Sequence, residues 1–206
     1  MHINDLKCIF ILPYKMLLKK FTRMIRDFIC IIGLLIISPF LFFAAIAIII
    51  EDGMPILFAQ ERVGKDQSIF KIIKIRTLKI GAPNIGTHQL ENKYKLKCGN
   101  LIRKIKLDEF PQLINVLKGD INLIGPRPGL VSQIDLIQNR NAKGIYEIKP
   151  GITGLSQVLG YDMSDPTKLA EIDKMYIQKQ SLYVDFLILI STFMPFTKKY
   201  LIKMIS

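Results

Sequence analysis

Asp108 and Glu109 are adjacent carboxylates, and Arg127 follows in the turn Gly125-Pro-Arg-Pro, all within LDEFPQLINVLKGDINLIGPRP (residues 107–128). A carboxylate can hold a divalent metal or attack phosphorus, and an arginine fork can grip a phosphate. The combination points to phosphoryl chemistry. Phe110, Leu113, Ile114 and Leu117 recur at helical spacing after the carboxylates, and Gly119 supplies a stop. Pro111 suits the first turn of that helix, where a missing N–H costs nothing. Asp108 and Glu109 are therefore expected at the positive end of a helix dipole, which favours their ionised forms. A nucleophile or metal ligand fits that expectation better than a general acid. The plain alternative is an N-cap with a favourable first-turn charge.

The element most able to position this chemistry lies upstream. Phe28–Ile50 carries no charge, and as a straight helix it would run ~35 Å, against a hydrocarbon core of about 30 Å. Ser38-Pro39 sits near its middle, leaving arms of roughly 15–17 Å each. Proline removes a helical hydrogen bond and favours a kink, and a serine hydroxyl can satisfy the freed carbonyl. A kinked spanning helix and a re-entrant helix with both ends on the cytoplasmic side both remain open. The chain carries a net charge of +12, and Lys7, Lys15, Lys19, Lys20, Arg23 and Arg26 lie just ahead of the apolar run. That placement favours an anionic membrane surface over nucleic acid as partner. Cys8, Cys30 and Cys98 show neither zinc spacing nor a disulfide framework, as in a reducing compartment. The expected organisation is a basic juxtamembrane arm over residues 1–27, a membrane helix over 28–50 broken at Ser38-Pro39, and a cytosolic domain over 51–206.

Within that domain the pattern predicts an α/β fold that is mostly helical with a small sheet. Ile56–Gln60 reads as a strand, Glu61–Gln67 as a charged turn, and Ile69–Leu78 as a strand with the basic face Lys71, Lys74 and Arg76. Gly81–Leu96 reads as a loop or lid, and Asn100–Lys106 and Leu130–Asn139 as helices. Lys149–Gly154 (KPGITG) reads as a tight loop whose free backbone N–H groups could cradle phosphate. Asp165–Gln180 is an amphipathic helix, and Leu182–Ser206 suits an interfacial helix.

Ser38-Pro39, KIRT at Lys74–Thr77, IRKIKLDEFPQLINVLKGD, IGPRP and KPGITGLSQV together resemble the bacterial monotopic phosphoglycosyl transferases, across about residues 20–195. The resemblance implies a re-entrant helix, a catalytic domain on the cytoplasmic face of the bacterial inner membrane, and interfacial amphipathic helices. It implies a UDP-sugar donor, a polyprenyl phosphate acceptor, usually undecaprenyl phosphate, and Mg²⁺ as cofactor. The products would be a polyprenyl-diphosphate-sugar and UMP, opening the assembly of an O-antigen, capsule or glycoprotein glycan. Asp108 becomes the expected covalent nucleophile and Glu109 a metal ligand or local base. Lys74, Arg76, Arg103 and Arg127 become phosphate contacts, with Gly151, Thr153, Gln157 and Tyr161 completing the phosphate and nucleotide set. Asp120 matches a family position for which a salt bridge or a turn role is equally open. The chain departs from the family at Leu159 and Tyr161, where many members carry Asn and Arg, so the resemblance leaves the sugar open, with an N-acetylated or dideoxy amino sugar preferred. It is expected to be a small, minimal member, and a homodimer is among its expected assemblies. Competing readings are a membrane-anchored Mg²⁺-dependent phosphohydrolase and a non-catalytic scaffold that binds anionic lipid.

Overall fold

The apolar run does not stand apart from the basic arm: a single helix, α1, extends from Ile3 to Asp52 in the computed structural model. The model describes residues 3–83 and 91–205. Residues 84–90 of the expected loop or lid, and the side chains of Lys7, Lys15 and Lys19, lie outside the described residues. The sequence suggests a break at Ser38-Pro39, yet α1 passes through both residues as helix. The reason is local. Pro39 has no N–H for the Leu35 carbonyl four residues back, and the Ser38 hydroxyl donates to that carbonyl instead, at 2.8 Å. The arm's charge is tempered as well, because Asp27 accepts from Arg26 at 2.7 Å and lies 3.9 Å from Arg23.

One side of α1 is a packing seam. Cys30, Leu34, Ile37, Leu41, Ala44 and Ile48 alternate at steps of four and three, and all of them pack into the protein. That stagger keeps side chains on one stripe of a helix for ~27 Å. Cys30 meets Leu113, Val116 and Ile121, while Ala44 and Ile48 meet Ile75, Leu96, Ile102 and Leu107. Ile48 is fully buried, worth roughly 1.5–3 kcal/mol. A side chain at Gly33 would approach Leu113 to 3.3 Å, so the glycine permits the close passage. The remaining faces leave Phe28, Leu35, Ile36, Phe42, Phe43 and Ile50 exposed. Lys20–Asp52 is long and apolar enough to cross a membrane.

Past a left-handed Gly53, β1 (Leu57–Val63) and β2 (Ile69–Ile75) form an antiparallel hairpin running from Leu57 opposite Ile75 to Val63 opposite Ile69. β1 thus continues through Glu61 and Arg62, which the sequence suggests as turn; the apolar run of β2 provides a pairing partner that local polarity does not reveal. α2 (Lys97–Lys104) starts on Glu51, whose two carboxylate oxygens accept from the Lys97 and Cys98 amides. α3 (Gln112–Lys118) ends at left-handed Gly119 as its sequence requires. β3 (Asn122–Ile124) pairs in parallel with β4 (Gly151–Thr153), with α4 (Ile134–Ala142) between them.

A second core closes the molecule. α5 (Leu155–Leu159), α6 (Pro166–Lys179), α7 (Leu182–Phe193) and α8 (Lys198–Ile205) bury Leu155, Ile172, Tyr176, Val184, Leu187, Ile188 and Leu201 together. Asp165 caps α6 by accepting from the Lys168 amide, with Pro166 in the first turn, and Ser181 caps α7. The opposite sides of α7 and α8 expose Leu182, Phe186, Phe193, Ile202 and Met204, with Lys199 and Lys203 nearby. Among the described residues the architecture is mostly helical, as the pattern predicts, with two small two-stranded sheets where the pattern suggests one.

Candidate active site

Asp108 and Glu109 occupy a short 3-10 turn, Leu107–Glu109, rather than the first turn of α3. Lys106 just before it is left-handed, with φ 57, a conformation costing a non-glycine residue about 1–3 kcal/mol. The reversal, anchored by buried Leu107, redirects the chain between α2 and α3 and presents both carboxylates to β2. Pro111 is the residue ahead of α3, so Phe110 and Pro111 separate the carboxylates from the helix dipole. Their charge is set by burial and by cations instead.

The two carboxylates are treated in opposite ways. Burial and the neighbouring Glu109 charge push the Asp108 carboxyl above its usual range, and Lys74 and Arg103 only partly offset them. The expectation that both groups strongly favour ionisation is thereby corrected for Asp108. Burial also raises Glu109, but Arg127 and Lys74 outweigh it and hold its carboxyl down at about 2. Arg127 donates from Nη2 to Glu109 Oε1 at 2.6 Å, and Lys74 Nζ lies 3.6 Å from the same oxygen. Burial and then Arg127 lower the Lys74 ammonium to about 8.

β2 is held in register for this contact by a buried amide. Asn115 of α3 accepts from the Ile73 N–H at 3.0 Å and donates to the Lys71 carbonyl at 2.8 Å, bracketing the backbone one residue ahead of Lys74. Its second N–H goes to Asp120 at 2.9 Å. Asp120 therefore fixes the orientation of Asn115, and its N–H donates to the Asn115 carbonyl at 3.0 Å, so of the two roles the sequence left open it takes the turn. Nothing in the helical periodicity marked Asn115, since a polar residue between apolar ones reads as surface.

Arg62 is a second residue that the sequence reading missed. It donates to the Pro128 carbonyl at 3.1 Å and to Gln60, and its Nε is buried without a partner. Burial and Arg127 lower its guanidinium to about 10, against the pull of Glu109. Its assignment to a charged turn hid it; inward alternation along an extended β1 would have been the signal. Arg103 stands beside the dyad: Nε donates to buried Thr77 Oγ1 at 2.7 Å, and its charge acts on Asp108.

Other expected contacts lie elsewhere. Arg76 is buried and donates to the Asp52 carboxylate and to the carbonyls of Asp52, Gly53, Pro55 and Leu78. It clamps the C-terminus of α1, where unsatisfied carbonyls and the dipole attract a cation, so it is not free to neutralise a diphosphate. The KPGITG segment is likewise not an open cradle. Gly151 donates its N–H to the Pro126 carbonyl at 3.0 Å, and Thr153 Oγ1 bonds Thr192 at 2.8 Å while its carbonyl accepts from Gly125. The glycines serve close packing: a Cβ on Gly151 would lie 2.1 Å from the Gly125 nitrogen, and one on Gly154 2.2 Å from the Gly125 oxygen. Gln157 donates to the Ile152 carbonyl at 3.0 Å, leaving its buried Oε1 without a partner, and Tyr161 is exposed after α5. Neither is in hydrogen-bond or ion-pair contact with the carboxylates. Ser38 and Pro39 lie on α1, apart from this cluster in sequence and role.

The donor set bears on a metal. Among the described residues no three His, Cys, Asp or Glu side chains gather as a metal site. Mg²⁺ commonly uses one or two carboxylates and completes its shell with water and substrate phosphate. Among the described residues no other side chain hydrogen-bonds the Asp108 carboxylate, and both contacts of Glu109 fall on Oε1. The pair fits an ion held jointly with a phosphate ligand.

A family model described as bacterial sugar transferase matches residues 18–199. The chain is 36% identical over 155 residues to an uncharacterized sugar transferase, EpsL, of Bacillus subtilis, covering 75% of this chain and 76% of that one. It is 34% identical over 201 residues to the galactosyl transferase CpsE of Streptococcus agalactiae, covering 88% of this chain and 44% of that one. It is 36% identical over 166 residues to a UDP-glucose:undecaprenyl-phosphate glucose-1-phosphate transferase of Caulobacter vibrioides, covering 75% of this chain and 61% of that one. The chain thus spans roughly half the length of the last two relatives.

Proposed function

The chain belongs to the bacterial sugar transferase family, and from that premise we propose that it transfers a sugar-1-phosphate from a UDP-sugar to a polyprenyl phosphate at a membrane surface. The observation that carries this reading is the division of labour between neighbouring carboxylates. Glu109 is consumed by two cations, whereas Asp108 is half-buried, free of side-chain hydrogen bonds and made more basic by its surroundings. A more basic carboxylate is the better nucleophile, and its cationic neighbours favour the approach of a diphosphate.

The chemistry then runs in two displacements. An Asp108 Oδ bonds to the β-phosphorus as the bond to the bridging oxygen breaks, and UMP departs with that electron pair. An oxygen of the polyprenyl phosphate next attacks the phosphorus of the acyl phosphate and returns Asp108 as carboxylate. Arg127, Lys74, Arg103 and Arg62 spread the charge that builds on the phosphoryl oxygens. Asp108 and Glu109 are the residues that would hold Mg²⁺, which when bound neutralises the diphosphate and eases loss of UMP. The transferase reading predicts that UMP release from the purified protein with Mg²⁺ rises at least tenfold on adding polyprenyl phosphate. Equal rates with and without the lipid would identify a phosphohydrolase instead.

The seam on α1 supports a monotopic arrangement, which this reading places on the cytoplasmic face of the inner membrane. A helix that packs one side against the catalytic domain from Cys30 to Ile48 cannot be wrapped by lipid over that length while the domain stays in water. Its opposite apolar face and the exposed sides of α7 and α8 would lie in the membrane surface, with Lys20, Arg23, Lys199 and Lys203 near anionic headgroups. In this reading α1 dips into one leaflet without crossing it, so Lys20 and Asp52 stay on the same side. Single cysteines placed at Lys20 and at Asp52 are expected to label from the same side of inverted vesicles. Labelling from opposite sides would establish a span.

A further inference from the structure

Arg127 presents a partly exposed guanidinium on a turn that is held by its backbone. Three consecutive carbonyls of that turn each accept from a different element. Pro126 accepts from the Gly151 amide of β4 at 3.0 Å, Arg127 from Arg140 Nη1 of α4 at 2.7 Å, and Pro128 from Arg62 Nη1 of β1 at 3.1 Å. The middle donor belongs to a buried ion pair. Arg140 Nε and Nη2 both donate to Asp173 Oδ2 of α6, at 3.0 and 2.6 Å, and Ser156 of α5 donates to Asp173 Oδ1 at 3.2 Å. All three residues are about 1% exposed or less.

A buried ion pair is a weak source of stability, since an apolar pair of similar volume often holds a core as well. Such a pair would still lack the N–H that reaches the Arg127 carbonyl. Resting on the transferase reading above, we propose that Arg140, oriented by Asp173 and Ser156, is a positioning residue that fixes the Arg127 backbone so that its guanidinium meets Glu109 and the donor diphosphate. Arg140 touches neither ligand nor carboxylate dyad; it acts through the turn.

The test uses the full chain in lipid nanodiscs and the variants Arg140→Met/Asp173→Leu, which keeps the core apolar and filled, and Arg140→Lys, which keeps the charge but not the fork. The first readout is kcat/KM for UMP release with the fastest of a panel of UDP-sugars, in wild-type and Arg127→Met backgrounds. The second is the dissociation constant for UDP in the same two backgrounds, read by calorimetry, which needs no turnover. Each variant is expected to lower kcat/KM about tenfold in the wild-type background and less than twofold once Arg127 is Met. UDP binding should weaken about threefold or more in both variants and stay unchanged once Arg127 is Met, because the loss runs through the placement of its guanidinium. If the double variant does not fold, Arg140→Lys carries the same comparison. Unchanged UDP binding, or losses that add fully to Arg127→Met, overturns the proposal. Weakened, Arg127-dependent UDP binding in a protein that turns over no UDP-sugar keeps the positioning role and removes the transferase reading.

Discussion

Asp108→Asn is expected to lower turnover by roughly 10³-fold or more, because it removes the attacking oxygen and leaves the site otherwise intact. The substitution is nearly isosteric, and no side-chain hydrogen bond to the Asp108 carboxylate is lost. Burial already works against its charge, so a neutral amide costs the fold little and removes an unfavourable desolvation. Thermal stability near neutral pH should therefore hold or rise slightly, which separates a chemical loss from an unfolded protein. The decisive measurement is intact-protein mass after incubation with Mg²⁺ and a panel of UDP-sugars, without lipid acceptor. A sugar-phosphate adduct on wild type and none on Asp108→Asn is the expected result, and the mass of the adduct identifies the donor sugar. No adduct with any donor, alongside UMP release once polyprenyl phosphate is present, would mean direct displacement with Asp108 as metal ligand only.

Arg127→Met should reduce kcat/KM by about 10²–10³, the scale seen when one preorganised donor to developing charge is removed. Its signature lies in the pH profile. In the wild type, Lys74 loses its proton around pH 8, so activity should fall on the alkaline side of that value. Arg127 contributes to that low value by repulsion. Without it, the alkaline limb should move to higher pH even though the rate is lower throughout. Glu109 gives the complementary stability effect. Its carboxyl lies near 2 in the fold, below the usual carboxylate range, so it contributes stability above that range that is lost as pH falls towards 2. Losing Arg127 raises this carboxyl, so the variant should be less stable than wild type at neutral pH, with the gap narrowing in acid. An alkaline limb that stays in place would show that Lys74 does not set it.

These two predictions rest on different amounts of sequence information. The chemistry of Asp108 and Glu109 was legible because adjacent carboxylates and a Gly-Pro-Arg-Pro turn are local patterns. The caps of α6, the stop at Gly119 and the Ser38 hydroxyl bond were legible for the same reason, as each joins residues a few positions apart. Arg76 and KPGITG were misread although their positions were noticed. A basic residue on a strand and a glycine-rich loop suit phosphate equally well until the element behind them is known. Here α1 ends against Arg76, and Gly125 closes on Gly151.

The sequence by itself determined most of the helices, the two strands of the hairpin and the residues able to do phosphoryl chemistry, because periodicity and turn residues act over single turns of chain. Only the tertiary structure decided which cations reach which carboxylate. It joins Arg62 of β1, Lys74 of β2 and Arg127 of the later turn around Glu109, sends Arg76 to the end of α1, and leaves Asp108 the more basic of the pair. The physical reason is range. Coulombic and desolvation effects depend on distances between segments far apart in the chain, and packing of the α1, α2 and α3 cores sets those distances.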